Sequence, residues 1–116
     1  MDERPICGEA MNARALRAAY DFLKGSAFYD IPLPPKIVLK LRKLKGAYGY
    51  YYSEPHRIEI DASVTDPMMF LRVVAHEMVH ASLEQAAACD HDRHDENFNQ
   101  LARIVCERMR WPMKGF

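Results

Sequence analysis

The sequence is poor in cysteine and has no long apolar run. Its three cysteines are odd in number and widely spaced, and no two of them form a CxxC pair. This argues against a disulfide framework or a four-cysteine zinc site and is typical of a reducing, intracellular compartment. No apolar stretch approaches the roughly 20 residues that cross a bilayer, so we expect no membrane partner.

The sequence also lacks an excess of charge of either sign. Lys and Arg together number 16, as do Asp and Glu. The strongly basic composition of proteins whose main partner is nucleic acid is therefore absent. The start, Met1-Asp2-Glu3-Arg4, has no basic stretch followed by an apolar one, so we expect no secretory signal and a cytoplasmic location.

What the sequence does contain is the composition of an ordinary globular protein. Of its 116 residues, 49% are hydrophobic and 28% are charged. A chain of this size can bury one modest core, so we expect a single domain over residues 1–116.

The first half of the chain predicts a helix followed by three strands. Apolar residues recur at three- and four-residue steps from about Glu9 to Lys24, which is helical spacing. The period then changes to two around Leu39, which predicts a strand with one buried face, and further strands are predicted over 47–52 and 57–60. Because the connections are short, we expect a three-stranded antiparallel meander.

The second half predicts two helices, which makes the fold class α+β. Asp66 followed by Pro67 is a favourable helix start, and the helix should run from Pro67 to about Gln85. It is apolar around most of its circumference, as expected of a buried central helix. A last helix, with Phe98 and Val105 on its apolar face, should end near Trp111.

The central helix contains the run His76-Glu77-Met78-Val79-His80. Two histidines four residues apart lie on the same helix face, so both imidazoles can reach one metal ion. Glu77 is about 100° round the helix, where its carboxylate can touch a water on that metal without binding the metal itself. The alternative is a pair of core histidines that are hydrogen-bonded to backbone carbonyls.

A catalytic zinc needs a third protein ligand and an open fourth position. The spacing favours His94, because it precedes Phe98 by four residues and would share that residue's face if the last helix begins at or just before His94. Other candidates remain open: His91, Glu96, Glu107 and Cys89.

The runs His76–His80 and His94-Asp95-Glu96-Asn97-Phe98 together resemble the SprT-like zinc metalloprotease domain. That family's pattern is HExxH followed by HGxxF or HGxxW at the start of the next helix. The strand sequences Gly49–Tyr51 and Arg57–Ile60 also look like those of the family. The resemblance covers roughly residues 10 to 110, and Asp95 stands where the family usually has Gly.

The resemblance implies a minimal zincin: a three-stranded sheet, a metal-binding helix and a helix that supplies the third ligand. His76, His80 and His94 would bind Zn²⁺, and Glu77 would be the general base in the hydrolysis of a protein or peptide substrate. We expect this substrate to lie as an extended strand beside the sheet edge.

Two other functions remain open from the sequence. The chain could be a catalytically silent binding module that zinc stabilises. It could also be a DNA-associated regulator that uses the basic stretch from Lys36 to Lys45. The alternative interpretation of this stretch is a solvent-exposed strand face.

Further site residues are expected but cannot be ranked. A second donor to the developing oxyanion is expected from Tyr48, Tyr50, Tyr51, Tyr52, His56 or Arg57. An acceptor that fixes each ligand imidazole is also expected. The candidates for that role are Asp61, Asp90 and Asp92.

Overall fold

The computed structural model describes residues 12–86 and 94–116. These residues form three helices and three strands. In chain order the elements are α1 (Ala13–Gly25), β1 (Val38–Arg42), β2 (Gly49–Ser53), β3 (His56–Asp61), α2 (Pro67–Gln85) and α3 (Glu96–Met109).

The first helix confirms the predicted amphipathic pattern. Asn12 caps its start by accepting a hydrogen bond of 2.8 Å from the amide of Ala15, which satisfies one of the unpaired N–H groups there. Leu16, Tyr20 and Leu23 share one buried face. The part of the prediction that falls before residue 12 lies outside the described residues.

The prediction of a purely antiparallel sheet is wrong, because the sheet is mixed. Its strand order is β1-β3-β2. Strand β2 pairs antiparallel with β3, as expected for the short turn between them. Strand β1, however, pairs parallel with β3, with Val38 opposite Arg57 and Arg42 opposite Asp61.

The connection 43–48 explains this topology, because it crosses the end of β3 instead of forming a hairpin. The Asp61 carboxylate accepts a 2.6 Å hydrogen bond from the amide of Leu44. The backbone amide of Asp61 donates to the carbonyl of Tyr48 at 2.7 Å, and that of Ala62 donates to the carbonyl of Arg42 at 2.9 Å. These bonds place the two ends of the connection on either side of β3, so β3 becomes the central strand.

One face of the sheet is covered by helices. Helix α1 contacts β1, and α2 contacts β2 and β3 as well as the other two helices. Tyr51, Ile58 and Ile60 point into this side and are buried. Most of α2 is buried among them, which confirms the prediction of a central helix.

The opposite face of the sheet displays part of the predicted basic stretch. Lys40 and Arg42 are exposed there. Part of the charge is compensated, because the buried carboxylate of Glu59 lies 2.9 Å from Arg57 Nε and 3.7 Å from an Nη atom of Arg42.

Both later helices begin at aspartate caps. The side chain of Asp66 accepts from the amide of Met69 at 2.8 Å, which confirms the predicted start of α2. The side chain of Asp95 accepts from the amide of Phe98 at 3.0 Å at the start of α3. Within residues 12–86 and 94–116, no helix is long and apolar enough to cross a membrane.

Candidate metal centre

The first two histidines of the candidate site lie one turn apart on α2. His80 is buried, with 4% of its surface exposed, and His76 is partly buried. Their ring centroids are 5.2 Å apart. Because four residues advance a helix by slightly more than one turn, both rings leave the helix on the same side.

His94 joins them from the residue that precedes the N-cap of α3. The helix begins at Glu96. The sequence-based placement of His94 on the face of Phe98 assumes a start at or just before His94, two residues earlier. Asp95 has an extended backbone with φ −85°, so this position does not need the glycine that the family usually has. Its capping carboxylate fixes the chain direction at the helix start instead.

The structure brings the three histidines together. Nε2 of His76 lies 3.2 Å from Nε2 of His94, and the ring centroids of His80 and His94 are 5.2 Å apart. Each of the three residues offers one ring nitrogen, and these nitrogens all lie within 4.8 Å of one another.

This geometry fits one metal ion. Tetrahedral zinc with Zn–N bonds of about 2.0–2.1 Å separates its nitrogen ligands by about 3.3 Å, so small side-chain adjustments would suffice. Burial of the ring, with a smaller contribution from nearby His94, lowers the pKa of His76 to about 4. The neutral imidazole, which is the form that binds metals, therefore predominates at neutral pH.

The other third-ligand candidates do not join this cluster in the described residues. Cys89 and His91 lie outside them. Glu96 accepts a 3.2 Å hydrogen bond from Gln100 on the exposed side of α3, and Glu107 is exposed further along the same helix.

Phe98 packs against all three histidine rings. Its ring centroid lies 4.9 Å from that of His76, 4.7 Å from that of His80 and 4.5 Å from that of His94. The sequence pattern identified Phe98 as a core residue and as part of the family motif. The pattern did not indicate that this ring contacts all three histidine rings.

A backbone carbonyl orients His76. Nδ1 of His76 lies 2.8 Å from the carbonyl oxygen of Phe116. Since a carbonyl can only accept, Nδ1 carries the proton and Nε2 is left with its lone pair. Of the acceptors predicted from the sequence, Asp61 does not orient His76, because its carboxylate accepts from the amides of Leu44 and Ser63. Asp90 and Asp92 lie outside the described residues.

A cleft of about 480 Å³ opens beside His76. His76 and Glu77 contribute to its wall, and Glu77 is only 6% exposed. The remaining wall combines apolar side chains with a few polar groups. It consists of Tyr48, Gly49, Asp66, Met68, Met69, Arg72, Val73, Gly115 and Phe116.

Of the six candidate oxyanion donors, Tyr48 lines this cleft. The hydroxyl of Tyr51 is hydrogen-bonded to His56 Nδ1. The guanidinium of Arg57 lies over the ring of Tyr52, 4.1 Å from its centroid, and binds Glu59. Tyr50 packs against Tyr52, with ring centroids 4.8 Å apart.

Comparison with known protein families gives a match over most of the chain. The model of the SprT-like family matches residues 16–114, which include all three histidines and Glu77. The chain belongs to the SprT-like family. No curated protein sequence matches it. In this SprT-like chain, the matched range extends from the first buried turn of α1 to the segment that follows α3.

Proposed function

We propose that this SprT-like protein is a zinc-dependent metallopeptidase in which His76, His80 and His94 hold the metal. The observation that supports this most is the combination of three convergent imidazoles with a carboxylate, Glu77, that lines a cleft together with one of them, His76. A structural zinc site would need no such carboxylate beside an open cleft.

The chemistry follows from these positions. Zinc held by His76, His80 and His94 would lower the pKa of a water molecule at the site toward 7 and would polarise the peptide carbonyl. The Glu77 carboxylate accepts the proton from the attacking water and passes it to the nitrogen of the leaving amine. Its burial beside Gly49 restricts its rotamers. Tyr48 is the cleft residue whose hydroxyl can donate to the developing oxyanion.

The substrate would lie along β2. The strand order places β2 at the edge of the sheet, and Tyr48 and Gly49 lie where this edge meets the cleft. An extended peptide can pair its main chain with an exposed strand edge. Such a peptide would pass its scissile bond next to Glu77 and His76.

The test is the variant Glu77→Gln, compared with Glu84→Gln on the same helix. Each purified protein is assayed for zinc content and for hydrolysis of a mixture of capped fluorogenic peptides. We expect Glu77→Gln to keep its zinc and to lose hydrolysis by about 10²–10⁴-fold, because a general base is removed. Glu84→Gln should keep both. Equal hydrolysis by Glu77→Gln and the wild type would refute the assigned base.

A catalytically silent zinc module is the competing function. It would require a closed site with four protein ligands. The cleft beside His76 and Glu77 supports the peptidase over this module, because a substrate bound in it would lie next to a metal held by His76.

Association with DNA stays a prediction that rests on the basic stretch from Lys36 to Lys45, of which Lys40 and Arg42 are exposed on the sheet. The ion pairs with Glu59 reduce the free positive charge of this face. Binding to a DNA duplex that weakens steeply with salt would support it, and the absence of binding at low salt would contradict it.

A further inference from the structure

The segment 111–116 turns back from the end of α3 and lies across α2. Arg110 ends α3 in the left-handed conformation, with φ 61°. The amide of Trp111 then donates to the carbonyl of Cys106 at 2.8 Å, and the amide of Phe116 donates to that of Met113 at 3.0 Å. The segment therefore has its own compact turn, and its residue Phe116 lies at the candidate metal site.

Arg72 binds this segment at two backbone carbonyls. One of its Nη atoms donates to the carbonyl oxygens of Pro112 at 3.2 Å and of Lys114 at 3.1 Å. Its guanidinium also lies 5.3 Å from the ring centroid of Trp111 and 5.7 Å from that of Phe116. Hydrogen bonds from an ionised donor are stronger than neutral ones, and an arginine over aromatic rings adds a further attraction.

The same segment contacts His76 one turn further along α2. The carbonyl oxygen of Phe116 accepts from His76 Nδ1 at 2.8 Å, and the two rings pack with centroids 5.5 Å apart. Arg72 and His76 are four residues apart and therefore share one face of α2. The segment contacts both, and Arg72 binds its backbone two and four residues before Phe116.

We infer that Arg72 is a positioning residue for the metal centre, acting through the segment 111–116. It holds the carbonyl of Phe116 against His76 Nδ1, which keeps the proton on Nδ1 and directs Nε2 toward His80 and His94. This inference rests on the proposed metal-binding role of His76. The orienting group is a backbone carbonyl, so its placement depends on the residues that fix the backbone.

The experiment uses the full chain as wild type, Arg72→Ala, Arg72→Lys and Arg103→Ala. Arg103 lies exposed on α3 and serves as the matched control for the loss of a surface guanidinium. Long-range ¹H–¹⁵N spectra of the zinc-free proteins report which ring nitrogen of His76 carries the proton. The zinc dissociation constant is measured by competition with a chromophoric chelator.

We expect the wild type and Arg103→Ala to hold His76 as the Nδ1–H tautomer. In Arg72→Ala, the ring should become a mixture of tautomers, and the zinc dissociation constant should rise by about tenfold, the lower range for the loss of a group that orients a ligand. The tautomer ratio and the zinc dissociation constant of Arg72→Lys should lie between those of the wild type and those of Arg72→Ala. The reason is that an ammonium group can donate to a carbonyl but lacks the planar fork of a guanidinium.

The tautomer signal separates positioning from a merely structural role. A folded Arg72→Ala protein with an unchanged tautomer and unchanged zinc affinity would overturn the inference, as would an Nε2–H tautomer in the zinc-free wild type. If Arg72→Ala does not fold, the same two readouts on Arg72→Lys decide the matter. Because the tautomer is read without zinc, failure of the proposed peptidase function would leave this result interpretable.

Discussion

Gly49 on β2 lies directly against the side chain of Glu77 on α2. A Cβ atom at position 49 would lie 3.1 Å from Oε2 and Cγ of Glu77 and 2.8 Å from Cγ1 of Val73. Glycine is therefore needed at this position because the strand and the helix approach closely, and this approach places the carboxylate in the cleft wall.

Gly49→Ala should accordingly reduce both stability and activity. Forcing a methyl group into this contact should cost about 1–3 kcal/mol of unfolding free energy and should displace the Glu77 carboxylate. The control is Gly25→Ala, since a Cβ there meets nothing within 4 Å. Urea unfolding and peptide hydrolysis measure the two effects. If the Gly49→Ala variant is as stable and as active as the Gly25→Ala variant, the close approach is unimportant.

Tyr48→Phe should lower turnover without affecting the metal. If the hydroxyl donates to the oxyanion, its removal should reduce kcat by about 100-fold, while zinc content stays at the wild-type level. Tyr52→Phe is the matched control, because Tyr52 lies under Arg57 on the other face of the sheet. Equal kcat values for the two variants would remove Tyr48 from the mechanism.

Phe98→Leu should weaken zinc binding, and the loss of stability that it also causes should not account for this weakening. The ring contacts all three histidines, so a smaller side chain would loosen their mutual orientation. We expect about a tenfold rise in the zinc dissociation constant. Val105→Ala, also buried on α3, should destabilise the fold while leaving zinc affinity intact. A parallel change in both variants would assign Phe98 to the core alone.

The metal-free protein should lose stability as the pH falls from about 6.5 to about 4. The pKa of His76 is about 4 in the folded state, compared with an ordinary value of 6.5. The unfolded chain therefore binds more protons in this range, and the contribution of His76, fully present above pH 6.5, declines by up to about 1.4 kcal/mol per pH unit.

Urea unfolding in the presence of a chelator measures this dependence. His76→Gln cannot take up the proton, so its unfolding free energy should vary less steeply over the same range. The carboxylates titrate in both proteins, so their contributions to the pH dependence cancel when the two slopes are compared. Identical slopes would show that the imidazole of His76 is not buried in its neutral form.

The parts of this structure that depend on local sequence could be predicted. The bounds of α2 follow from Asp66, Pro67 and the apolar pattern, and the structure gives the predicted helix. The proximity of His76 and His80 is a consequence of helix geometry. His94 could be associated with them from its four-residue spacing to Phe98, although α3 begins only at Glu96.

Features that depend on contacts distant in sequence could not be predicted. The parallel pairing of β1 with β3 is set by the bonds that Asp61 makes with the connection 43–48. The group that orients His76 is the carbonyl of Phe116, 40 residues away, and a backbone carbonyl leaves no signature in the sequence. Gly49 lies in a predicted strand, and the local sequence does not indicate that it leaves room for the side chain of Glu77.

The coordination of zinc in the full chain is the most direct test of the proposed site. X-ray absorption at the zinc edge should show three imidazole nitrogens at about 2.0–2.1 Å together with one exchangeable oxygen. The spectrum of His94→Ala should lose one imidazole. A sulfur ligand at about 2.3 Å, or a wild-type site with fewer than three imidazoles, would contradict the proposed centre.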